Sequence, residues 1–164
     1  MGYGRFFAMI ITSTLIMFGL MYLNTFALDH VFWSQTRAWM ALLMGAVMAV
    51  VMLLFMLGMY KSRAANIGIL VGALIVFSAS LYFVRSQATV GDIDYMKAMI
   101  PHHSIAIMTS ARANIRDERV RELADGIIEA QVREIAEMKA LIADLEATPP
   151  ASDAPILPPG VATE

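Results

Sequence analysis

The pattern of hydrophobic and polar positions divides the chain into a long apolar part and a shorter amphipathic part. Three apolar runs lie at about residues 6–28, 38–60 and 65–84. Each is long enough to cross a hydrocarbon core of roughly 30 Å as a helix. The first run is too long for a cleaved signal and is followed at once by another span. The pattern predicts a transmembrane domain of three helices over residues 1–88.

After this domain, apolar positions recur at the spacing of two amphipathic helices. The first covers about residues 92–115, and Pro101 is expected to kink or restart it. The second begins after Asp117, a good N-cap, and keeps a three-four apolar spacing to Leu145. A turn near residues 115–116 folds the two into an antiparallel hairpin, which occupies residues 89–147.

The remaining residues, 148–164, contain five of the six prolines and are predicted to form a disordered tail. The fold class is therefore all-α. A hairpin of this size buries too little surface to be stable alone. We expect it to dimerise into a four-helix bundle or to pack on the outer loops of the transmembrane domain.

Composition agrees with a membrane protein, since 59% of the 164 residues are hydrophobic and the mean hydropathy is +0.64. The net charge of -2 joins two unlike parts. Residues 1–90 carry five Lys or Arg and one acidic residue, whereas residues 91–164 carry seven and thirteen. An acidic surface repels phosphate, so nucleic acid is not an expected partner. The absence of cysteine excludes disulfides and thiolate metal sites.

Basic residues next to the spans predict the orientation. Arg5, Lys61 and Arg63 flank one side of the bilayer, and Arg37 and Arg85 flank the other. The positive-inside bias then places the N-terminus in the cytoplasm and the hairpin outside it. The expected location is the inner (plasma) membrane of a bacterium.

Two patterns within the spans have a possible function beyond filling space. The second span carries methionine at every fourth position, at Met40, Met44, Met48, Met52 and Met56. Flexible packing along a helix contact is the favoured interpretation, and a thioether relay that conducts a soft metal is the alternative. In the third span, Gly68 and Gly72 form a GxxxG pattern that predicts close helix packing.

The hairpin holds the residues with the clearest metal chemistry. Met96, Met99 and His103 are spaced i, i+3 and i+7, so two thioethers and an imidazole share one helical stripe. Thioethers select Cu(I), whereas zinc prefers nitrogen, thiolate or carboxylate ligands. His102 lies about 100° away on a regular helix. The alternative is that these side chains are ordinary core and a polar patch.

Reflecting the hairpin about its turn places His103 opposite Ile128 and brings the downstream polar residues Gln131 and Glu134 near the Met-His stripe. Met138 approaches the same face. His30, in the first outer loop, is expected at an interface rather than in the metal site.

Other chemistries lack their motifs. The Glu-x-x-His pairs of a di-iron bundle are missing, because Met99 and Ile100 precede the two histidines by three residues. No GxSxG, phosphate-binding loop or dinucleotide fingerprint occurs. The sequence therefore predicts that the protein is not an enzyme.

The run from Tyr95 to His103, with its Met-Ile-Pro-His-His core, resembles the family called domain of unknown function 305. The resemblance covers about residues 92–145 and extends through Leu123, Ala124, Ile127, Ile128, Gln131, Glu134, Ile135 and Met138. It implies a ferritin-like helical bundle, in a subgroup with three N-terminal membrane helices. It also implies bacterial copper handling outside the cytoplasm through histidine and methionine.

Carried over residue by residue, the resemblance implies a copper site with the ligands Met96, Met99, His102, His103 and Met138. Gln131 and Glu134 are candidates for supporting those ligands. Many relatives have a larger or duplicated outer part, which strengthens the expectation of a homo-oligomer here.

The leading hypothesis is a membrane-anchored protein whose outer hairpin binds copper, as Cu(I) and also Ag(I), for tolerance, buffering or delivery. Its expected partners are the lipid bilayer, a second copy and other copper-handling proteins of the membrane or periplasm. The alternative is an anchored helical module for interaction or oligomerisation that binds no metal.

Overall fold

The protein is described by a computed structural model that covers residues 2–151 and 153–157. Within these residues all of the regular secondary structure is helical. The five α-helices are α1 (Tyr3–Leu20), α2 (Gln35–Phe55), α3 (Arg63–Ser86), α4 (Asp92–Arg112) and α5 (Glu118–Ala147). Short 3-10 turns lie at Leu28–His30 and Leu57–Met59. The all-α prediction is confirmed.

Helices α1, α2 and α3, here called the apolar domain, are long and apolar enough to cross a membrane. They have 18, 21 and 24 residues, with mean hydropathies of 1.5, 2.5 and 2.4 in their most apolar windows. Helix α1 ends at Leu20, earlier than the apolar run predicted. The Arg37 guanidinium, which lies 4.4 Å from the centre of the Tyr22 ring, donates a hydrogen bond to the Met21 carbonyl. Since carbonyls at a helix end lack intrahelical donors, this bond stabilises the early end of α1.

Helix α2 packs on both α1 and α3. At one end of the domain Phe6, Leu53, Tyr60 and Ile69 form a buried core. The tightest approach is at Gly45, where a Cβ atom would lie 2.5 Å from Thr14 Oγ1. A side chain at this position therefore has no room unless the Thr14 side chain or α1 moves.

The two patterns noted in the spans differ in their surroundings. The five methionines of α2 and its C-cap are all half-buried, and Met52 and Met56 pack against the buried core. Gly68 and Gly72 instead line an apolar groove of about 780 Å³ between the helices. Within the described residues, no atom of another helix lies within 4 Å of a Cβ built on either glycine. Close helix packing inside the chain thus occurs at Gly45 and not at the predicted GxxxG.

Helices α4 and α5 form the predicted antiparallel hairpin. Helix α4 runs without interruption through Pro101, which is buried, and Asp117 caps α5 by accepting the Arg119 N–H at 2.9 Å. The hairpin core consists of Met96, Ile100, Ile107, Ile135, Met138 and Ile142. After Ala147 the described residues are exposed and outside any helix. The rest of the predicted tail, residues 152 and 158–164, lies outside the described residues.

The segment between α1 and α2, residues 21–34, is here called the first loop. It packs on the hairpin, and Phe32 contacts the hairpin core. His30 also lies at this contact. The first loop therefore covers part of the hairpin core. Packing on an outer loop is the second of the two arrangements expected for a hairpin too small to be stable alone.

Candidate functional site

An open groove of about 580 Å³ lies between α4 and α5 and is here called the hairpin groove. It contains five of the seven site residues that the sequence predicted. Its lining consists of Asp92, Tyr95, Met96, Met99, His103, Glu134, Glu137, Met138, Leu141 and Leu145. The predicted Met-His stripe of α4 thus faces a Met-Glu stripe of α5.

Helical periodicity explains why these side chains share the groove. Met96, Met99 and His103 recur at three- and four-residue intervals on α4, and Glu134 and Met138 are four residues apart on α5. Residues at these intervals lie on one face of a helix. Met96 and Met138, with 6% and 9% of their surface exposed, also belong to the hairpin core. Two of the three thioethers are therefore held by core packing.

The His103 ring is fixed by hydrogen-bonding groups at both nitrogens. Nδ1 lies 2.9 Å from the Met99 carbonyl oxygen, which accepts its proton. Nε2 lies 3.0 Å from Glu134 Oε2. A backbone acceptor at one ring nitrogen is a common device for orienting the other toward a metal. Because Nδ1 donates to the carbonyl, Nε2 is the nitrogen that would face a metal. Glu134 would then have to leave it, since a ring nitrogen that binds a cation carries no proton for a carboxylate to accept.

Glu134 is held in turn by Gln131, whose side-chain Nε2 lies 3.5 Å from Glu134 Oε2. Gln131 is half-buried and does not line the groove. His103 therefore pairs with Glu134, one of the downstream residues that the sequence placed near the Met-His stripe. Side chains on a helix lean toward its N-terminus. In an antiparallel hairpin this lean displaces contacts from mirror positions, toward residues farther from the turn on α5.

His102 does not point into the groove. Its side chain is exposed, and its ring centre lies 6.2 Å from that of His103, with the two ring planes at 82°. The two neighbouring histidines thus present their imidazoles to different surroundings, as the helical angle between consecutive residues dictates.

The donor atoms of the groove suit a soft cation better than a hard one. Among residues 2–151 and 153–157, no group of three or more His, Cys, Asp or Glu side chains is arranged to hold a metal ion. The groove instead offers three thioethers and one imidazole, together with the carboxylates of Asp92, Glu134 and Glu137. Thioethers favour Cu(I), whereas zinc sites use nitrogen, thiolate or carboxylate ligands. The residues present therefore fit copper in its reduced state.

The hairpin is similar to a known protein family. Residues 86–155 match the model of the family described as domain of unknown function (DUF305). The chain carries a DUF305 domain. The match includes all of α4 and α5, and so every residue that lines the hairpin groove.

One curated relative is an uncharacterized protein of Acanthamoeba polyphaga mimivirus, which is 41% identical over 64 residues. The aligned part is 38% of this chain and 42% of the relative, so the chain spans about two fifths of that protein's length. No solved structure matches the chain. These comparisons therefore assign the hairpin to a family but assign it no activity.

Several groove residues of the DUF305 domain were not singled out by sequence reasoning. Leu141 and Leu145 continue the three-four spacing of Met138 along α5, and this spacing was the signal that identified them as apolar positions. Tyr95 and Glu137 are exposed at the rim.

Proposed function

We propose that the protein is a membrane-anchored copper-binding protein that takes up Cu(I), and also Ag(I), in the hairpin groove. The observation that carries the proposal is that Met96, Met99, Met138 and His103 line one groove. Copper tolerance, buffering and delivery are the roles such a site serves.

The ligand set follows from the atoms that the groove offers. The sulfurs of Met96, Met99 and Met138 and Nε2 of His103 would hold the ion. The Glu134 carboxylate, which lies 3.0 Å from Nε2, would move off that nitrogen and offset the charge of the ion. Bound copper supplies a thiophilic cation that can be stored or transferred. The protein's own contribution is to keep thioethers fixed by core packing and an imidazole oriented by the Met99 carbonyl.

The three apolar helices support anchorage in a membrane. By the positive-inside rule, the hairpin lies on the extracytoplasmic side of a bacterial plasma membrane. An exposed groove is open to a second copy or to another copper-handling protein, and His102, exposed beside it, is available to either.

Copper uptake is tested on the full chain purified in detergent. Titration with Cu(I) under reducing conditions, and with Ag(I), should give a defined stoichiometry. Replacing Met96 and Met138 together by Leu conserves volume, so the fold is retained while two thioethers are lost. The matched control is Met108→Leu, a half-buried methionine of α4 that does not line the groove. Equal affinity in the double variant and the control contradicts the proposal.

A second candidate function is an interaction module without metal. It is favoured by the exposed apolar residues of α5, namely Leu123 and Leu141, which suit a protein contact. In that case chelators would leave the oligomeric state and the melting temperature of the full chain unchanged. A melting temperature that rises with Ag(I) and falls back with a chelator excludes this alternative.

A further inference from the structure

The residue directly after His103 connects the hairpin to the apolar domain. Ser104 has no exposed surface and does not line the groove. Its Oγ accepts the Phe26 backbone N–H at 2.7 Å and lies 2.9 Å from Nδ1 of His30. Successive residues on a helix differ by about 100°. One turn of α4 therefore presents His103 to the groove and Ser104 to the first loop.

The hydrogen bonds of Ser104 form a consistent set. Because the Phe26 N–H donates to Oγ, the hydroxyl proton is free to be donated to Nδ1 of His30. Burial lowers the pKa of the His30 imidazole, with a smaller effect of Lys139 in the same direction and an opposing effect of Asp29. The neutral ring, which accepts at Nδ1, is thus the form that this contact favours. A backbone donor in a partly buried contact needs such a partner.

Three further contacts join the same two parts of the molecule. Phe32 packs against the hairpin core that contains Met96 and Met138. Asp29 forms an ion pair with Lys139 of α5 at 2.6 Å, and Gln35 donates to Asp94 of α4 at 2.8 Å. None of the polar hairpin residues in these contacts lines the groove, namely Asp94, Ser104 and Lys139. The loop therefore supports both helices and leaves the groove open.

We infer that the first loop is a positioning element of the metal site, so that loop docking and metal binding stabilise each other. The inference rests on the proposed function. The loop covers the core in which two of the ligands are packed, and it holds the turn of α4 that carries His103. A metal that draws the same ligands together stabilises the hairpin shape to which the loop binds. Coupling of this kind is reciprocal by thermodynamic necessity.

The first test needs no variant. Amide hydrogen exchange of the full chain in detergent is measured with and without Ag(I), and Ag(I) binding is measured in the same sample. Exchange at Phe26 and its neighbours in the loop should slow when Ag(I) binds. Unchanged loop exchange in a protein that does bind Ag(I) overturns the inference and leaves the proposed function standing. Failure to bind Ag(I) overturns both.

The second test perturbs the contact between the loop and the hairpin without replacing a proposed ligand. Phe32→Ala removes cover from the hairpin core, and Ser104→Ala removes the partner of the Phe26 N–H. Each should weaken Ag(I) binding by about 5- to 150-fold, the usual range of coupling between sites. Phe26→Ala is the control, because its side chain is half-exposed and the substitution keeps the backbone N–H. Ag(I) affinities equal to wild type in both variants contradict the inference.

Discussion

Replacing Gly45 by Ala tests the packing of the apolar domain. The added Cβ atom would lie 2.5 Å from Thr14 Oγ1 and 3.3 Å from Thr14 Cγ2. Favourable heavy-atom contacts are about 3.5–4.0 Å long, so the Thr14 hydroxyl must move by about 1 Å, through rotation of the side chain or retreat of α1 from α2. Overpacking of this kind costs about 1–3 kcal/mol.

A second effect of the substitution has the opposite sign. Alanine favours a helix interior over glycine by about 1 kcal/mol, which offsets part of the steric cost. Gly72→Ala isolates this effect, because a Cβ atom there meets no atom within 4 Å. The Gly45 variant should therefore be less stable than the Gly72 variant by about 1–3 kcal/mol.

The measurement is equilibrium unfolding of the full chain in mixed micelles, followed by the fluorescence of Trp33 and Trp39. Thr14→Ala removes both clashing atoms, so it should restore most of the stability lost in Gly45→Ala. The double-mutant cycle then gives a coupling energy within the usual range of about 0.5–3 kcal/mol. Equal stability of the two alanine variants, or a double variant that recovers nothing, would refute the packing argument.

Three other predictions concern the hairpin groove, the contact between the first loop and the hairpin, and the end of the first loop. Glu134→Gln removes the charged partner of His103 Nε2 and should weaken Ag(I) binding by about 10- to 100-fold, measured by competition titration, with Glu129→Gln, outside the groove, as the control. Because burial lowers the pKa of His30, its contribution to stability is complete above the ordinary value and declines as the pH falls below it. Melting temperatures from pH 7.5 to pH 5 should therefore fall more in wild type than in His30→Gln, and parallel curves would contradict this. Ser34→Ala removes the N-cap of α2, whose Oγ accepts the Arg37 N–H at 3.3 Å, and should cost about 1 kcal/mol of unfolding free energy by the same micelle assay, whereas no loss would contradict a capping role.

Sequence periodicity predicted most of the fold because both parts of the chain follow simple rules. Long apolar runs have few alternatives to a spanning helix, and the three-four spacing of α5 admits little besides an amphipathic helix. The thioether stripe of α4 was predictable for the same reason, since Met96 and Met99 are neighbours on any helix. Periodicity predicts which residues share one face of a single helix, and it carries no information on contacts between helices.

Contacts between distant elements were less predictable. The end of α1 depends on Arg37, whose side chain reaches back from the next helix to the Met21 carbonyl. The docking of the first loop depends on Ser104, which lies 78 residues from Phe26 in sequence. No local sequence pattern identifies such a serine as the hydrogen-bond partner of a distant loop. The specific pairing of His103 with Glu134 was not predictable, because reflection about a turn ignores the direction in which side chains lean.

The lack of cysteine determines how the hairpin groove responds to oxidants. A thioether cannot form a disulfide, so a site of this composition is not closed by crosslinking under aerobic conditions. Its vulnerability is conversion of methionine to the polar sulfoxide. Core burial shields Met96 and Met138 from peroxide, whereas Met99 is only half-buried. Oxidative damage should therefore begin at Met99, at the solvent-facing edge of the groove, and reach the other two sulfurs later.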